Sequence, residues 1–309
     1  MIPVRKRALP AALLLCAFLL FRPAAADAIE SWTAGGKSLS HKYAEIEDRL
    51  LKNQFDLPLY IESSDKDKSL RVDVYGIFDY PFDEVQAALL TPAGWCDIAL
   101  LHINIKACTF AKLDGNWLLT FYNGRKHYQA PEETSPLRFT YRPGATGPGY
   151  FTIVLSADEG PLRTKDHRMA LEAMPLGEGK TFVHLSYAYR YGFWGQVAMK
   201  SYFSTIGRDK VGFSVTGADR EGNPVYAAGV KGAIERNAVR YYYAILSYLD
   251  TLKAPEDQQF EKRIERWYDL TDRHKRQLHE LERSDYLLNK RQEYKNQLIL
   301  QRGAPLLHQ

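Results

Sequence analysis

The stretch Asn223–Leu252, NPVYAAGVKGAIERNAVRYYYAILSYLDTL, constrains the fold more than any other part of the chain. Ala227, Val230, Ile234, Ala238, Tyr241, Ile245, Tyr248, Leu249 and Leu252 recur at helical spacing and form one apolar stripe. Asn223 is placed as the N-cap and Pro224 at the first helical position. A helix of about 30 residues spans about 45 Å, long enough to cross a whole domain. Strand-like segments precede it and the composition changes after it, so the pattern predicts a bar against which a curved sheet closes.

The N-terminus is set apart from the rest. Arg5, Lys6 and Arg7 precede the apolar run Ala11–Phe21, and small residues follow at Ala24, Ala25, Ala26 and Ala28. This is the layout of a secretory signal peptide, residues 1–28, cut after Ala26 or Ala28. The alternative is an uncleaved anchor, for which the apolar run is short. Cys16 follows the bulky Leu15, which disfavours lipid attachment there. The full chain carries a formal charge of +4, and losing Arg5, Lys6, Arg7, Arg22 and Asp27 leaves the remainder at +1. A nearly neutral mature chain offers no electrostatic ground for nucleic acid as a partner. Export implies a periplasmic or secreted location, where the remaining cysteines, Cys96 and Cys108, favour a disulfide over two buried thiols. Two cysteines without a nearby His pair do not complete a zinc site.

In chain order, Ser38–Leu57 reads as a helix. Leu59–Glu62 and Leu70–Tyr80 read as strands, with Val72, Val74, Gly76 and Phe78 on one face. Pro81 ends the second strand, Phe82–Leu90 starts a helix, and Trp95–Leu101 forms a second short helix or turn. Strand candidates follow at His102–Phe110, Trp117–Tyr122, Leu137–Arg142, Tyr150–Ala157, Asp166–Met174 and Thr181–Tyr191, separated by glycine-rich turns. Phe193–Ile206 has helical spacing.

The hairpin Asp166–Met174 with Thr181–Tyr191 bears most directly on a binding site. Pairing Met174 with Thr181 puts His167, Met169, Leu171 and Ala173 on one face with Phe182, His184, Ser186, Ala188 and Arg190. That face carries less charge and is expected to face the long helix. Its small residues leave room for a ligand, oriented by His184 and Arg190. The opposite arrangement, with Tyr187, Tyr189 and Tyr191 inward, stays open. Asn237, Tyr241 and Tyr248 of the long helix are expected in the pocket wall.

Beyond Leu252, Pro255 begins a charged helical extension, 255–309, with Phe260, Ile264 and Trp267 at helical spacing. It is expected to dock on the helix face that carries Gly229, Gly232, Arg236, Tyr243 and Ser247, because glycines allow close approach. The alternative is an exposed helix with a frayed tail.

The passage Val74–Val85, VYGIFDYPFDEV, together with Trp95, the strand entry Gly179–His184 and the long final helix, resembles the START lipid-transfer domains. It is also similar to the wider helix-grip superfamily of birch-pollen-allergen-like proteins and polyketide cyclases. The resemblance covers 38–252 and implies an α+β fold, a curved antiparallel β-sheet gripping a long C-terminal helix. It further implies a hydrophobic tunnel for a sterol, phospholipid or other apolar molecule, and transfers no specific binding residue. No Ser-His-Asp, metal or phosphate-loop pattern appears, so the chain is read as a non-enzymatic carrier without a cofactor, for which a membrane surface is a further partner. The alternatives are a cyclase or aromatase using His167, His184 or Arg190, and an envelope interaction protein acting through 255–309.

Overall fold

A computed structural model describes residues 24–192 and 210–304. Residues 1–23 of the expected signal peptide 1–28 and the expected helix 193–206 lie outside them. One eight-stranded antiparallel sheet runs in the order β1-β2-β8-β7-β6-β5-β4-β3. Its strands are β1 (Leu59–Lys66), β2 (Ser69–Phe78), β3 (Ile105–Leu113), β4 (Asn116–Asn123), β5 (Ser135–Gly147), β6 (Tyr150–Gly160), β7 (Thr164–Leu176) and β8 (Lys180–Tyr191). Every expected strand is present, most of them longer at one or both ends. Two tight turns follow from local chemistry. Asp67-Lys68 and Asp114-Gly115 take positive φ, at 52° and 59° and at 49° and 77°, and close two-residue hairpins whose twist matches the strands.

Helices α1 (Ala24–Leu51), α2 (Phe82–Leu89) and α3 (Pro92–Leu101) enclose the sheet. The amphipathic pattern expected from Ser38 belongs to a helix that starts at Ala24 and stops at Leu51, so both proposed cleavage positions fall in its first turns. Leu39, Ile46 and Leu50 of α1 cover the outer face of the sheet at Tyr75, Met174 and Phe182. Helices α2 and α3 carry the chain from β2 to the far edge, where β3 starts. Thr91 caps α3 by accepting a hydrogen bond from Gly94 N at 3.2 Å, ahead of Pro92 at the first position. Cys96 and Cys108 form the expected disulfide, tying α3 to β3 with Cα atoms 5.0 Å apart.

The long helix, α4 (Gly229–Thr251), is shorter than its sequence suggests. Asn223 is not its N-cap, nor is Pro224 its first residue. Asp219 Oδ1 accepts from Glu221 N at 2.9 Å and Asn223 N at 2.8 Å, which folds 219–223 into a turn between β9 (Val215–Ala218) and β10 (Pro224–Tyr226). Pro224 fits there because the first residue of a strand can lack an N–H. Gly229 then takes φ +61°, which stops the helix from extending backwards.

Helix α4 packs on β1, β2 and β8, and α3 packs on β3 and β4. Tyr242 of α4 lies so close to β2 that a Cβ on Gly76 would come within 2.1 Å of its hydroxyl. Gly232 also permits a close approach, but by the backbone of Gly212 and not by the C-terminal extension. Glu235, fully buried, accepts from Phe213 N at 2.7 Å and Ser214 N at 2.9 Å, and from Ser63 Oγ.

The extension forms α5 (Glu256–Asp272), α6 (Lys275–Leu278) and α7 (Arg283–Gly303), whose buried side chains join the main core. Of the three residues expected to dock on α4, Ile264 and Trp267 pack towards its middle and C-terminal end, whereas Phe260 stacks on Tyr294 of α7 with centroids 4.0 Å apart. Trp267 Nε1 donates to Arg240 O at 3.0 Å, and Arg263 Nε donates to Thr251 Oγ1 at 3.2 Å. Helix α7 lies along β3, the last strand of the sheet. Gln297 Oε1 accepts from Cys108 N at 2.7 Å, and Gln301 pairs with both main-chain atoms of Phe110. These side chains satisfy an edge that would otherwise be open to pairing with another strand.

Candidate functional site

The two faces of β7 and β8 decide which residues line the space under the sheet. Met174 pairs with Phe182, not Thr181, and the register continues as Leu171 with Leu185 and Met169 with Tyr187. Glu178 and Gly179 take positive φ and tighten the loop to Gly177-Glu178-Gly179, between the paired Leu176 and Lys180. A one-residue slip turns every side chain of one strand to the other face. The β7 residues therefore face inward as expected, whereas those of β8 are reversed. Phe182, His184 and Ser186 lie on the outer face, Phe182 beside α1, and Arg190 is exposed at 66%. Val183, Leu185, Tyr187 and Tyr189 face the core instead.

The inner face carries a continuous cross-strand row, Trp117, Tyr141, Leu155, Met169, Tyr187 and Val72, from β4 to β2. Next to it His167 is buried between three partners. Its Nε2 is 2.9 Å from Thr164 Oγ1, its Nδ1 is 2.8 Å from Tyr187 Oη, and its ring stacks on Tyr189 with centroids 5.2 Å apart. Gly160 makes room for that ring, since a Cβ there would lie 2.1 Å from Nε2. Burial pushes the imidazole down to about 4, so it is neutral at physiological pH and one nitrogen donates while the other accepts.

Tyr241 of α4 stacks on His102 at the end of α3, with centroids 4.6 Å apart. Burial raises the hydroxyls of Tyr187 and Tyr241 well above the usual tyrosine range. Both side chains nevertheless keep accessible surface, as does Tyr189. Of the other two helix residues expected in the wall, the Asn237 side chain interacts with His102 beside Tyr241, whereas Tyr248 stands apart. Asn237 Oδ1 accepts from Arg240 at 3.4 Å, and Tyr248 packs over Gly94 beneath the Arg263 guanidinium.

The structure thus brings together His167, Met169 and Tyr241 of the expected site, and adds Tyr187, Tyr189, Tyr141 and Trp117. The signal for Tyr187 and Tyr189 was present in the alternation Tyr187-x-Tyr189-x-Tyr191, which marks the apolar face of β8.

On the outer face, His184 forms a separate buried network. Its Nε2 is 2.7 Å from Asp73 Oδ1 and its Nδ1 is 2.7 Å from Glu172 Oε1, while its ring stacks on Tyr75 at 4.3 Å. Tyr150 Oη donates to Glu172 at 2.6 Å, and Arg71 donates twice to Asp73 at 2.7 Å. Burial opposes the imidazolium charge, but the hydrogen bonds and charges of the two carboxylates outweigh it and raise the histidine above its usual value. Both ring nitrogens then donate, one to each acid, joining β2, β8 and β7.

No protein-family model matches the sequence, and no curated protein sequence matches it. Among solved structures the chain is similar to human StAR-related lipid transfer protein 5, with TM-score 0.35 and 12% identity over 71% of this chain and 98% of that one. It is similar to human STARD10, with TM-score 0.37 and 11% identity over 65% and 72%. A truncated norcoclaurine synthase from Thalictrum flavum gives TM-score 0.32 and 9% identity over 45% and 84%. The helix-grip architecture itself stands on this chain's own strand order and on the packing of α4 across one flank of the sheet.

Proposed function

We propose that this protein is an exported carrier that binds a lipid or comparable hydrophobic small molecule between the sheet and α4. The observation that carries the reading is the tyrosine group Tyr187, Tyr189 and Tyr241, desolvated yet retaining surface on the inner side of a gripping sheet. Aromatic and aliphatic walls with few polar groups suit non-directional apolar burial, and the Tyr187 hydroxyl, His167 and Tyr241 supply orientation. The basic Arg5–Arg7, the apolar Ala11–Phe21 and the Cys96–Cys108 bridge support an oxidising, extracytoplasmic setting.

Native mass spectrometry of protein purified from membrane-containing extracts tests this. A co-purifying apolar ligand, displaced in Tyr187→Trp, is the expected result. A ligand-free protein that also takes up no fluorescent fatty acid or sterol would exclude it.

A further inference from the structure

We propose that an open basic concavity beside the β6–β7 turn docks the protein onto an anionic lipid surface, a step that rests on the carrier reading above. The concavity has a volume of about 290 Å³ and is lined by Lys68 from the β1–β2 turn, Arg163, Lys165 and Asp166 from the β6–β7 connection, and Arg190, Tyr191 and Gly192 at the end of β8. Four cations converge there on one carboxylate. Asp166 pairs with Arg190 at 3.5 Å. Lys68, Arg163 and Lys165 have no carboxylate at ion-pair distance among the described residues. Asp65, close by, accepts from the Tyr191 hydroxyl at 2.7 Å and keeps its charge, and Glu159 stands opposite Lys165 across β6 and β7, so the four cations exceed the nearby carboxylates by one.

The turn also holds these charges in place. Thr164 Oγ1 donates to Pro161 O at 2.6 Å, and Arg163 between them takes φ +58°, so the guanidinium is presented from a constrained backbone. An excess of positive charge in an open concavity, on side chains long enough to reach a surface, matches lipid phosphates.

The position gives the charge its purpose. Thr164 is buried and bonds His167, which in turn bonds Tyr187 and stacks on Tyr189. One side chain therefore separates the basic turn from the inner aromatic group. A carrier that collects an apolar molecule from a bilayer gains from holding that end of its sheet against the headgroups, and the cations of the β1–β2, β6–β7 and β8 ends lie there together.

Flotation of the full chain with vesicles tests the proposal. Phosphatidylglycerol mixed with phosphatidylcholine should bind the protein, binding should fall as salt rises, and phosphatidylcholine alone should not bind it. Each basic residue near an anionic surface strengthens binding about fivefold, so Lys68→Glu with Lys165→Glu should weaken it at least about 25-fold. Lys295→Glu, exposed on α7 at the other edge of the sheet, should leave binding unchanged. Equal binding to both vesicle types, or undiminished binding by the double variant, would overturn the proposal. Saturable binding of inorganic phosphate at these residues with no vesicle binding would also overturn it, in favour of a soluble anion. Ligand occupancy measured by native mass spectrometry on the same samples separates the two readings. Occupancy without vesicle binding defeats docking alone, and vesicle binding without any ligand defeats the carrier reading alone.

Discussion

Gln301 and Phe110 are paired as if they were neighbouring strands: Phe110 N donates to Gln301 Oε1 at 2.9 Å, and Gln301 Nε2 donates back to Phe110 O at 2.9 Å. One turn earlier on α7, Gln297 accepts from Cys108 N at 2.7 Å. The spacing of four residues along a helix matches two residues along a strand closely enough for side-chain amides to imitate a ladder. A stretch that reads as a charged tail is in this way an edge cover for the sheet.

Removing that cover leaves main-chain donors without partners. Gln297→Ala with Gln301→Ala should destabilise the fold by about 1–3 kcal/mol for each buried donor left unsatisfied. Urea unfolding monitored by tryptophan fluorescence measures the loss. An unshifted midpoint would mean that water replaces both amides at no cost.

Behind the same helix, Glu293 accepts from Lys106 Nζ at 2.8 Å and from Lys290 Nζ at 2.7 Å, and all three side chains are at most 1% exposed. Burial lowers Lys290 to about 8, opposed by the adjacent carboxylate. Glu293→Gln leaves two buried ammonium groups without an anion and should cost about 3–5 kcal/mol. Replacing Lys106 and Lys290 by Met together with Glu293→Leu should cost less, because the desolvation penalty disappears along with the attraction and what remains is the loss of the ammonium donors to the carbonyls of His102, Ile103 and Ile105. Equal losses in the two variants would show that the ionic group is needed for packing and not only for charge balance.

The His184 network makes stability depend on pH in a defined direction. The raised imidazole contributes fully below its ordinary value of 6.5 and loses that contribution as pH rises through its higher folded value. Asp73 and Glu172, both lowered, contribute fully above their ordinary values of 3.8 and 4.5 and lose it as pH falls through their folded values. For both carboxylates burial is the largest influence and acts upward, but the bonds to His184 and to Arg71 or Tyr150 prevail. The network is therefore strongest between about pH 4.5 and 6.5. Thermal melts across pH 4–9 should show stability falling above that window, and His184→Gln should flatten the alkaline limb. A variant with the same pH profile as the parent would disprove the assignment.

Much of the fold was legible in local pattern. Alternation placed Val72, Val74, Gly76 and Phe78 together on one face of β2, which is the inner one, glycine-rich turns separated the strands, and Ile234, Ala238, Ile245 and Leu249 marked the buried stripe of α4. The disulfide followed from two cysteines in a chain with an export pattern. The site was less legible. His167, Met169 and Tyr241 were identifiable, but His184 was assigned to the wrong face because strand register depends on the turn, and the turn depends on the backbone conformation of Glu178 and Gly179.

Local periodicity by itself determined which segments become strands and helices, because each segment's apolar residues must share one face. Only the tertiary structure decided where the long helix begins, which face of β8 is inside, and that the charged extension closes an edge strand. Those outcomes depend on partners far away in sequence, among them Asp73 for His184, Gly212 for Gly232 and Phe110 for Gln301, whose proximity no local pattern encodes.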